Sequence, residues 1–230
     1  MKIKQTMSAL LLTALAAGGD AVADSVEGTV TLKGTAPANK VIKLTDKICA
    51  AIHKGKKCET EEYVVNGDKL ANVLVYLKDA KKGGTKPSQA TMDQVGCRYV
   101  PHVLGVMTGQ VITVANSDPL MHNINMTQAK NNKGRNLSQP TKGMKEPVKF
   151  DKAEVPPFKV KCNVHKWMGA YIGVFEHPYF AVTDASGNFK INGVPAGSYT
   201  VEVWHEKAGT ANKKVAVKGA TKQDFELNAK

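Results

Sequence analysis

Residues 161–171, KCNVHKWMGAY, place three potential metal-ligating side chains within seven positions. Cys162 offers a thiolate, His165 an imidazole and Met168 a thioether. Soft sulfur ligands select Cu(I) and imidazole suits copper, so this trio fits a copper ion that cycles between Cu(I) and Cu(II). A single methionine at such a position would more often fill a gap in the core. The three residues together indicate a metal site.

A further ligand is expected from an earlier strand. A blue-copper arrangement requires two imidazoles and one thiolate, with a long axial thioether. The segment 110–125, QVITVANSDPLMHNIN, predicts a strand, a polar turn, and His122 at the start of the next strand. FKVK at 158–161 leads into Cys162, and AYIGVFE at 170–176 follows the ligand loop. This order of strand, loop and strand is the context in which such ligands converge.

The elements that would position these ligands are short strands. The apolar or alternating runs are VEGTVTLK (26–33), EYVVN (62–66), ANVLVYLK (71–78), QVITVAN (110–116), FKVK (158–161), AYIGVFE (170–176), SYTVEVW (198–204) and KKVAVK (213–218). Gly, Pro, Asn and Asp separate these runs, and helical periodicity is scarce. The pattern predicts an all-β chain built from sandwiches or partly open barrels.

The residues around the expected ligands resemble those of the cupredoxins. The C-x2-H-x2-M spacing is similar to that of amicyanin, and an N-x-D…H-N pattern surrounds the first histidine. The resemblance implies a cupredoxin-like Greek-key sandwich over residues 62–176 that binds one type 1 copper ion. The implied equatorial ligands are His122, Cys162 and His165, and the implied axial ligand is Met168.

The same resemblance assigns roles to two neighbours of the ligands. Asn123 would brace the ligand loop by hydrogen bonding, which orients the ligands and tunes the metal. Trp167 would lie at the rim of the site, where the ring of His165 reaches an apolar surface through which electrons leave. The resemblance also implies a redox partner protein, such as a cytochrome or a dehydrogenase.

The C-terminal part follows a different pattern. VTDASGNFKINGVPAGSYTVEVWHE (182–206) predicts three strands separated by two turns, in which Gly187 and Gly197 would supply positive φ. It resembles the transthyretin-like, carboxypeptidase-regulatory-like β-sandwich modules, whose first strand usually reads like VEGTV at 26–30. The resemblance implies a smaller transthyretin-like sandwich from residues 24–61 and 177–230. A serial arrangement of the two domains is the alternative.

The N-terminus predicts export. The basic MKIKQ precedes the apolar MSALLLTALAA, and Ala21-Val22-Ala23 has the small-x-small pattern of a cleavage site. We therefore expect a signal peptide over residues 1–23, a mature chain that begins at Asp24, and a periplasmic or otherwise exported location. The apolar run is too short for a comfortable membrane span, and no later segment resembles one.

Export places all four cysteines in an oxidising compartment, where cysteines normally pair. If Cys162 binds a metal, one of Cys49, Cys58 and Cys97 is left over. A Cys97–Cys162 disulfide would abolish the site. Cys49 and Cys58, with His53 between them, fit a disulfide or free thiols better than a second metal site. The pairing stays open at the level of sequence.

The charge of the chain favours a steering role or general solubility. The formal net charge is +12, and residues 127–147 hold five basic residues and one acid. In an exported protein such a balance is not expected to bind nucleic acid. It raises the rate of encounter with an acidic partner, or it only keeps the protein soluble.

These features predict an exported electron carrier that binds one copper ion. An enzyme is not expected, because four protein ligands leave no open position for a substrate. The same ligands would serve a copper chaperone or storage protein, or would hold zinc without redox activity. A metal-free structural or carbohydrate-binding sandwich is the remaining alternative, and it requires Cys162 to be in a disulfide.

Overall fold

The computed structural model describes residues 24–230, so the expected signal peptide over residues 1–23 lies outside the described part. The chain is nearly all β, with 48% strand and 3% helix, which confirms the predicted fold class. Among residues 24–230, no helix is long and apolar enough to cross a membrane.

The described chain has nineteen strands and one short helix. The strands are β1 (Ser25–Lys33), β2 (Val65–Asn66), β3 (Lys69–Leu70), β4 (Leu74–Leu77), β5 (Ala90–Val95), β6 (Arg98–Val100), β7 (Val103–Met107), β8 (Val111–Asn116), β9 (His122–Asn125), β10 (Asn136–Gln139), β11 (Lys145–Lys149), β12 (Glu154–Lys161), β13 (Gly169–Phe175), β14 (Phe180–Val182), β15 (Asn188–Asn192), β16 (Gly197–His205), β17 (Gly209–Val217), β18 (Ala220–Lys222) and β19 (Phe225–Asn228). The helix is α1 (Lys47–His53).

The first sandwich combines the two ends of the described chain. In one sheet β1 pairs with β3, β15, β18 and β19, and in the other the strand order is β14-β4-β16-β17. The apolar residues of β1 point inward at Val26, Val30 and Leu32, and they share one core with Val75 of β4 and Val201 of β16. The alternation of apolar and polar residues along β1 therefore turns one face of the strand toward the core of this sandwich, as the sequence predicts.

The Asp-x-x-Gly turn between β14 and β15 forms as expected, and the second turn differs. Gly187 has a φ of +70°, and Asp184 accepts hydrogen bonds from the backbone of Ser186 and Asn188. Gly197 does not have a positive φ and instead begins β16. A Cβ there would lie 3.3 Å from the ring of Tyr199, so a larger residue at this position would require that ring to shift slightly.

The second sandwich carries the expected ligands. Its sheets have the strand orders β10-β9-β12-β13-β7 and β11-β8-β5-β6. The pairs β7–β13 and β5–β8 are parallel, and the others are antiparallel. Met92, Ile112, Ile124, Val160 and Ile172 are fully buried between the sheets. This core sets the ends of β9, β12 and β13 side by side, which is where the ligand loop begins and ends.

Strand pairing differs from the expected division of the chain at residue 62. β3 pairs with β1, and β4 pairs with β14 and β16, so residues 65–77 belong to the first sandwich. The reason lies in β4, which is buried on both faces. Val75 and Leu77 face the core of the first sandwich, whereas Leu74 and Tyr76 contact Val103 and Phe175 of the second. A run of this kind does not reveal from sequence which sheet it joins.

A long excursion joins β1 to β2 and contains α1. Asp46 caps α1, with its carboxylate accepting from the backbone of Ile48 and Cys49 at 2.8 and 3.0 Å. Cys49 is fully buried in the core of the second sandwich and forms a disulfide with Cys97 of that sandwich. We call residues 44–53 the cap, because this segment covers the end of the second sandwich that holds the ligand loop.

Candidate metal centre

The expected ligands come from one end of the second sandwich. His122 is the first residue of β9, where it pairs with Gln139 of β10. Cys162 follows β12 directly, and Met168 immediately precedes β13. The loop between them is closed by backbone hydrogen bonds from Met168 to the carbonyl of His165 and from Cys162 to the carbonyl of Met168. A loop this tight directs its side chains to one place.

Three of the four expected ligands converge. The Nδ1 atoms of His122 and His165 are 3.0 Å apart, and the Sγ atom of Cys162 lies 4.0 Å from Nδ1 of His165. One potential ligand atom of each residue lies within 4.8 Å of the others. His122 is fully buried, and Cys162 and His165 are 2% and 3% exposed. Met168, 2% exposed, lies in the same core, as an apolar thioether beside such a site would.

Asn123 contacts the ligand loop in the way the resemblance implies. Its Oδ1 atom accepts from the backbone N–H of Asn163 at 2.8 Å and from the Cys162 thiol at 3.4 Å. Its Nδ2 atom donates to Oδ1 of Asn136, and its backbone carbonyl accepts from the hydroxyl of Tyr99 at 2.5 Å. Asn136 and Tyr99 therefore fix the position of Asn123, and Asn123 in turn fixes the position of Cys162.

The thiol of Cys162 lies in an environment that favours the thiolate. Burial raises its pKa, but hydrogen bonds from the ring of His122 and from the backbone of His165 outweigh that effect and lower the pKa below its ordinary value. The amide of His165 lies 3.3 Å from Sγ. Since the thiolate is the form that binds metals, the surroundings of Cys162 prepare it to act as a ligand.

A carboxylate that sequence analysis missed bonds to the ring of His122 at Nε2, on the side away from His165. Nε2 of His122 lies 2.9 Å from Oδ2 of the buried Asp118. Burial lowers the pKa of His122, but the hydrogen bonds to Asp118 and Cys162 outweigh it and raise the pKa to about 9. The same bond turns Nδ1 of His122 toward His165. Asp118 stands four residues before His122 in the quoted N-x-D…H-N pattern, which is the signal that could have identified it.

His165 departs from the expected geometry. The resemblance implied an imidazole that reaches an apolar surface, but His165 is 3% exposed. The cap covers it: Nε2 of His165 lies 3.8 Å from Oδ2 of Asp46, and the ring centroid of Trp167 is 5.1 Å away. Burial and the charge of His122 lower the pKa of His165. The expected electron-exit rim is therefore wrong for this face, because α1 occupies it.

Two of the four cysteines form a disulfide, and the other two are free thiols. Cys49 and Cys97 are bonded to each other, while Cys58 and Cys162 are free and buried. Cys97 is therefore not bonded to Cys162, and Cys49 is not available to a metal site with Cys58. Arg98 donates from Nη2 to Sγ of Cys58 at 3.3 Å.

The basic segment over residues 127–147 is anchored at its start. The buried carboxylate of Glu154 accepts from the backbone N–H groups of Lys130, Asn131 and Asn132, at 3.1, 2.7 and 2.9 Å. The strands β10 and β11 occupy much of the remainder. The segment is thus built into the second sandwich and presents its lysines from an ordered frame.

Comparisons with known proteins find likeness over part of the chain. No protein-family model and no curated protein matches it. Among solved structures, the copper-containing nitrite reductase NirK from Thermus scotoductus SA-01 is 18% identical with a TM-score of 0.36, over 43% of this chain and 25% of that one. A Cu(I) methionine-to-alanine variant of amicyanin is 17% identical with a TM-score of 0.33, over 44% and 97%.

These neighbours are cupredoxins, and the likeness is partial. The chain spans about a quarter of the length of the nitrite reductase. A further amicyanin variant, with methionine replaced by glutamine, is 20% identical with a TM-score of 0.33, over 39% of this chain and 96% of that one. Likeness at this level of identity and TM-score decides nothing about what this chain binds.

Proposed function

We propose that the protein is an exported electron carrier that binds one copper ion in a type 1 site. The proposed ligands are His122, Cys162, His165 and Met168. The observation that supports the proposal is the buried convergence of two imidazole Nδ1 atoms and one thiol within 4.8 Å. This donor set of soft sulfur and imidazole suits copper. Copper bound there would supply the one-electron couple between Cu(I) and Cu(II).

The residues of the chain would keep the site rigid and dry. Asp118 fixes the ring of His122, and Asn123 fixes Cys162 and Asn163. Ligand rings that are held by hydrogen bonds from outside keep one orientation in both oxidation states. The surrounding core residues exclude water from the ligand atoms. A site of this kind would change little in shape when an electron enters or leaves.

The redox partner, the first sandwich and the location complete the proposal. Exposed Lys47 lies on the cap, Lys54 directly follows it and Lys166 lies on the ligand loop, and these lysines would attract an acidic redox protein to this end of the molecule. The first sandwich would be a transthyretin-like, carboxypeptidase-regulatory-like module. The proposed location is the periplasm or another exported site, and no catalytic reaction is proposed.

A copper chaperone or storage protein is the second candidate, and one observation favours it. His165 is enclosed by Asp46, Trp167 and the cap, so its imidazole does not offer the short route to the surface that an electron carrier was expected to use. An enclosed ion is well protected, which suits a protein that holds copper until an acceptor receives it. The two candidates share their ligands and differ in what happens after binding.

An optical and electrochemical experiment tests both candidates. The chain without its signal peptide is titrated with Cu(II), beside a Cys162→Ser variant and a Cys58→Ser control. Intense visible thiolate-to-copper absorption is expected for the parent and the control and not for Cys162→Ser. Reversible one-electron cycling of the bound ion supports the carrier, and ready transfer to an acceptor without cycling supports the chaperone. Absence of the band in the parent chain contradicts the type 1 site.

A further inference from the structure

The disulfide lies directly against the candidate metal centre. Sγ of Cys49 is within 4.8 Å of a ring nitrogen of His165, and Sγ of Cys97 is within 4.8 Å of a ring nitrogen of His122. Both cysteines are fully buried. The bond therefore joins a residue beside one histidine of the centre to a residue beside the other.

The cap depends on this bond for its position. α1 has seven residues, which is too short for a helix to be stable in water without tertiary contacts. Apart from the disulfide, the described contacts that hold it are few. His53 Nε2 lies 2.9 Å from the carbonyl of Gly96, Asp46 faces His165 at 3.8 Å, and Leu44 and Ile52 are partly buried against the core.

Cys97 links the cap to both histidines through its backbone. Its N–H donates at 2.7 Å to Oδ2 of Asp118, the oxygen that also bonds His122. Its carbonyl accepts at 3.1 Å from Nε1 of Trp167, whose ring lies against His165. A movement of Cys97 would therefore displace Asp118 and Trp167, the residues that contact the two imidazoles.

Cys97 also has a costly backbone conformation. It occupies the turn between β5 and β6 with a φ of +54°, next to Gly96 at +66°. A left-handed conformation is strained for a residue other than glycine, because its Cβ atom approaches the following carbonyl oxygen. Such residues persist only where the surroundings hold them in place, and they concentrate at functional sites. The hydrogen bonds of Cys97 to Asp118 and Trp167 and its bond to Cys49 are those surroundings.

We infer that the Cys49–Cys97 disulfide is a thiol–disulfide exchange site that closes the cap over the candidate metal centre and opens it on reduction. The reactant is a dithiol donor. One donor thiolate attacks a sulfur of the disulfide, releases the other cysteine as a thiolate that takes up a proton, and forms a mixed disulfide. The second donor thiol then displaces the protein cysteine. The products are two cysteine thiols in the chain and a disulfide in the donor.

Because both sulfurs are buried, exchange requires a local opening of the cap. Short elements with few contacts open at low free energy, and α1 is such an element. Once reduced, the cap is held only by its noncovalent contacts, and the covering of His165 becomes reversible. The oxidised form keeps an ion in place, and the reduced form exchanges it. The part about the metal rests on the proposed function, whereas the movement of the cap does not.

The movement of the cap is tested without any metal. Amide hydrogen exchange over residues 46–53 is measured in the metal-free chain, in a Cys49→Ser/Cys97→Ser double variant, and in the parent chain reduced with dithiothreitol. Cys58→Ser is the control, because Cys58 lies in the same excursion and is not in the disulfide. Faster exchange is expected in the double variant and in the reduced chain, with strands β8 and β12 still protected. Equal protection of α1 in all four samples overturns the inference.

The effect on the metal is tested by transfer of Cu(I) to a strong chelator under anaerobic conditions. We expect release from the double variant to be at least about tenfold faster than from the oxidised parent, which corresponds to about 1.4 kcal/mol less barrier to release. If the double variant and the oxidised parent release Cu(I) at equal rates although the cap of the variant is open, the disulfide does not control access to the ion, and that part of the inference is overturned. If neither chain binds Cu(I), the proposed function fails, while the exchange data still decide whether the disulfide holds the cap.

Discussion

Asp118 and His122 form a buried pair in which one carboxylate oxygen, 2.9 Å from Nε2 of the imidazole, also accepts the backbone N–H of Cys97. The first prediction follows from this pair. Asp118→Asn removes the negative charge, so the pKa of His122, raised to about 9 in the parent, is expected to fall. An adjacent opposite charge usually shifts a pKa by about 1–3 units. NMR titration of the histidine ring in the metal-free chain measures the change.

The control for this prediction is Asp93→Asn. Asp93 lies on the neighbouring strand β5 and accepts from the hydroxyl of Ser117, so its replacement should leave the titration of His122 as it is in the parent. If Asp118→Asn also leaves the pKa of His122 unchanged, the carboxylate does not set the protonation of this imidazole.

Asn123→Ala should loosen the ligand loop. The variant removes the acceptor of the Asn163 amide and the donor to Asn136, together with the weaker contact to the Cys162 sulfur. At about 1 kcal/mol for each net hydrogen bond, we expect a loss of about 2 kcal/mol in the free energy of unfolding. Urea denaturation gives the loss, and hydrogen exchange at the amide of Asn163 shows that it arises locally. Asn136→Ala removes only the acceptor of the Asn123 Nδ2 atom and should cost less; equal losses would contradict the prediction.

His205 should make stability depend on pH. It is 2% exposed, and its Nδ1 atom accepts from the backbone of Ala208 at 3.1 Å. Burial lowers its pKa to about 4. Between about pH 6.5 and 4 the unfolded chain binds the proton that the folded chain excludes, so stability falls as the pH drops, by up to about 3 kcal/mol.

The His205→Asn variant checks the assignment. The amide oxygen of asparagine can replace Nδ1 as an acceptor and does not titrate, so urea midpoints measured across this pH range should vary less than in the parent. An unchanged slope would show that another group is responsible.

Glu154→Gln should release the start of the basic segment. The carboxylate accepts from the side chain of Asn132 and from three backbone N–H groups, and these bonds outweigh burial and lower its pKa. An amide offers one acceptor oxygen and no charge, and hydrogen bonds to charged groups are worth about 1.5–3 kcal/mol each. We expect at least about 2 kcal/mol of destabilisation and faster hydrogen exchange at residues 130–132. Glu146→Gln in β11 is the control, and a matching loss there would contradict the role of Glu154.

The convergence of the ligands was predictable because its information is local. Cys162, His165 and Met168 lie in one short loop between two strands, and His122 begins a strand that a clear polar turn precedes. Alternation of apolar residues was enough to predict an all-β chain, and the turn at Gly187 carried its own signal. Each of these features depends on neighbours within a few residues.

The covering of His165 could not be predicted in the same way. Asp46 and His165 are far apart in the sequence, and their approach depends on how two distant segments pack. The pairing of Cys49 with Cys97 was one of several open choices, because spacing alone does not select a partner. β4 was expected within the ligand-bearing domain over residues 62–176 but pairs with β14 and β16, and an apolar run buried on both faces has no alternation that indicates its sheet.

The two faces of β4 have a practical consequence for any attempt to work with a smaller piece. Leu74 and Tyr76 cover Val103 and Phe175, which belong to the sandwich that bears the ligands. A fragment limited to residues 90–175 would leave that apolar surface bare and would also lack the cysteine that joins Cys97. Bare surfaces of this type promote self-association. The ligand-bearing sandwich is therefore not a detachable module, and its solubility is a property of the whole chain.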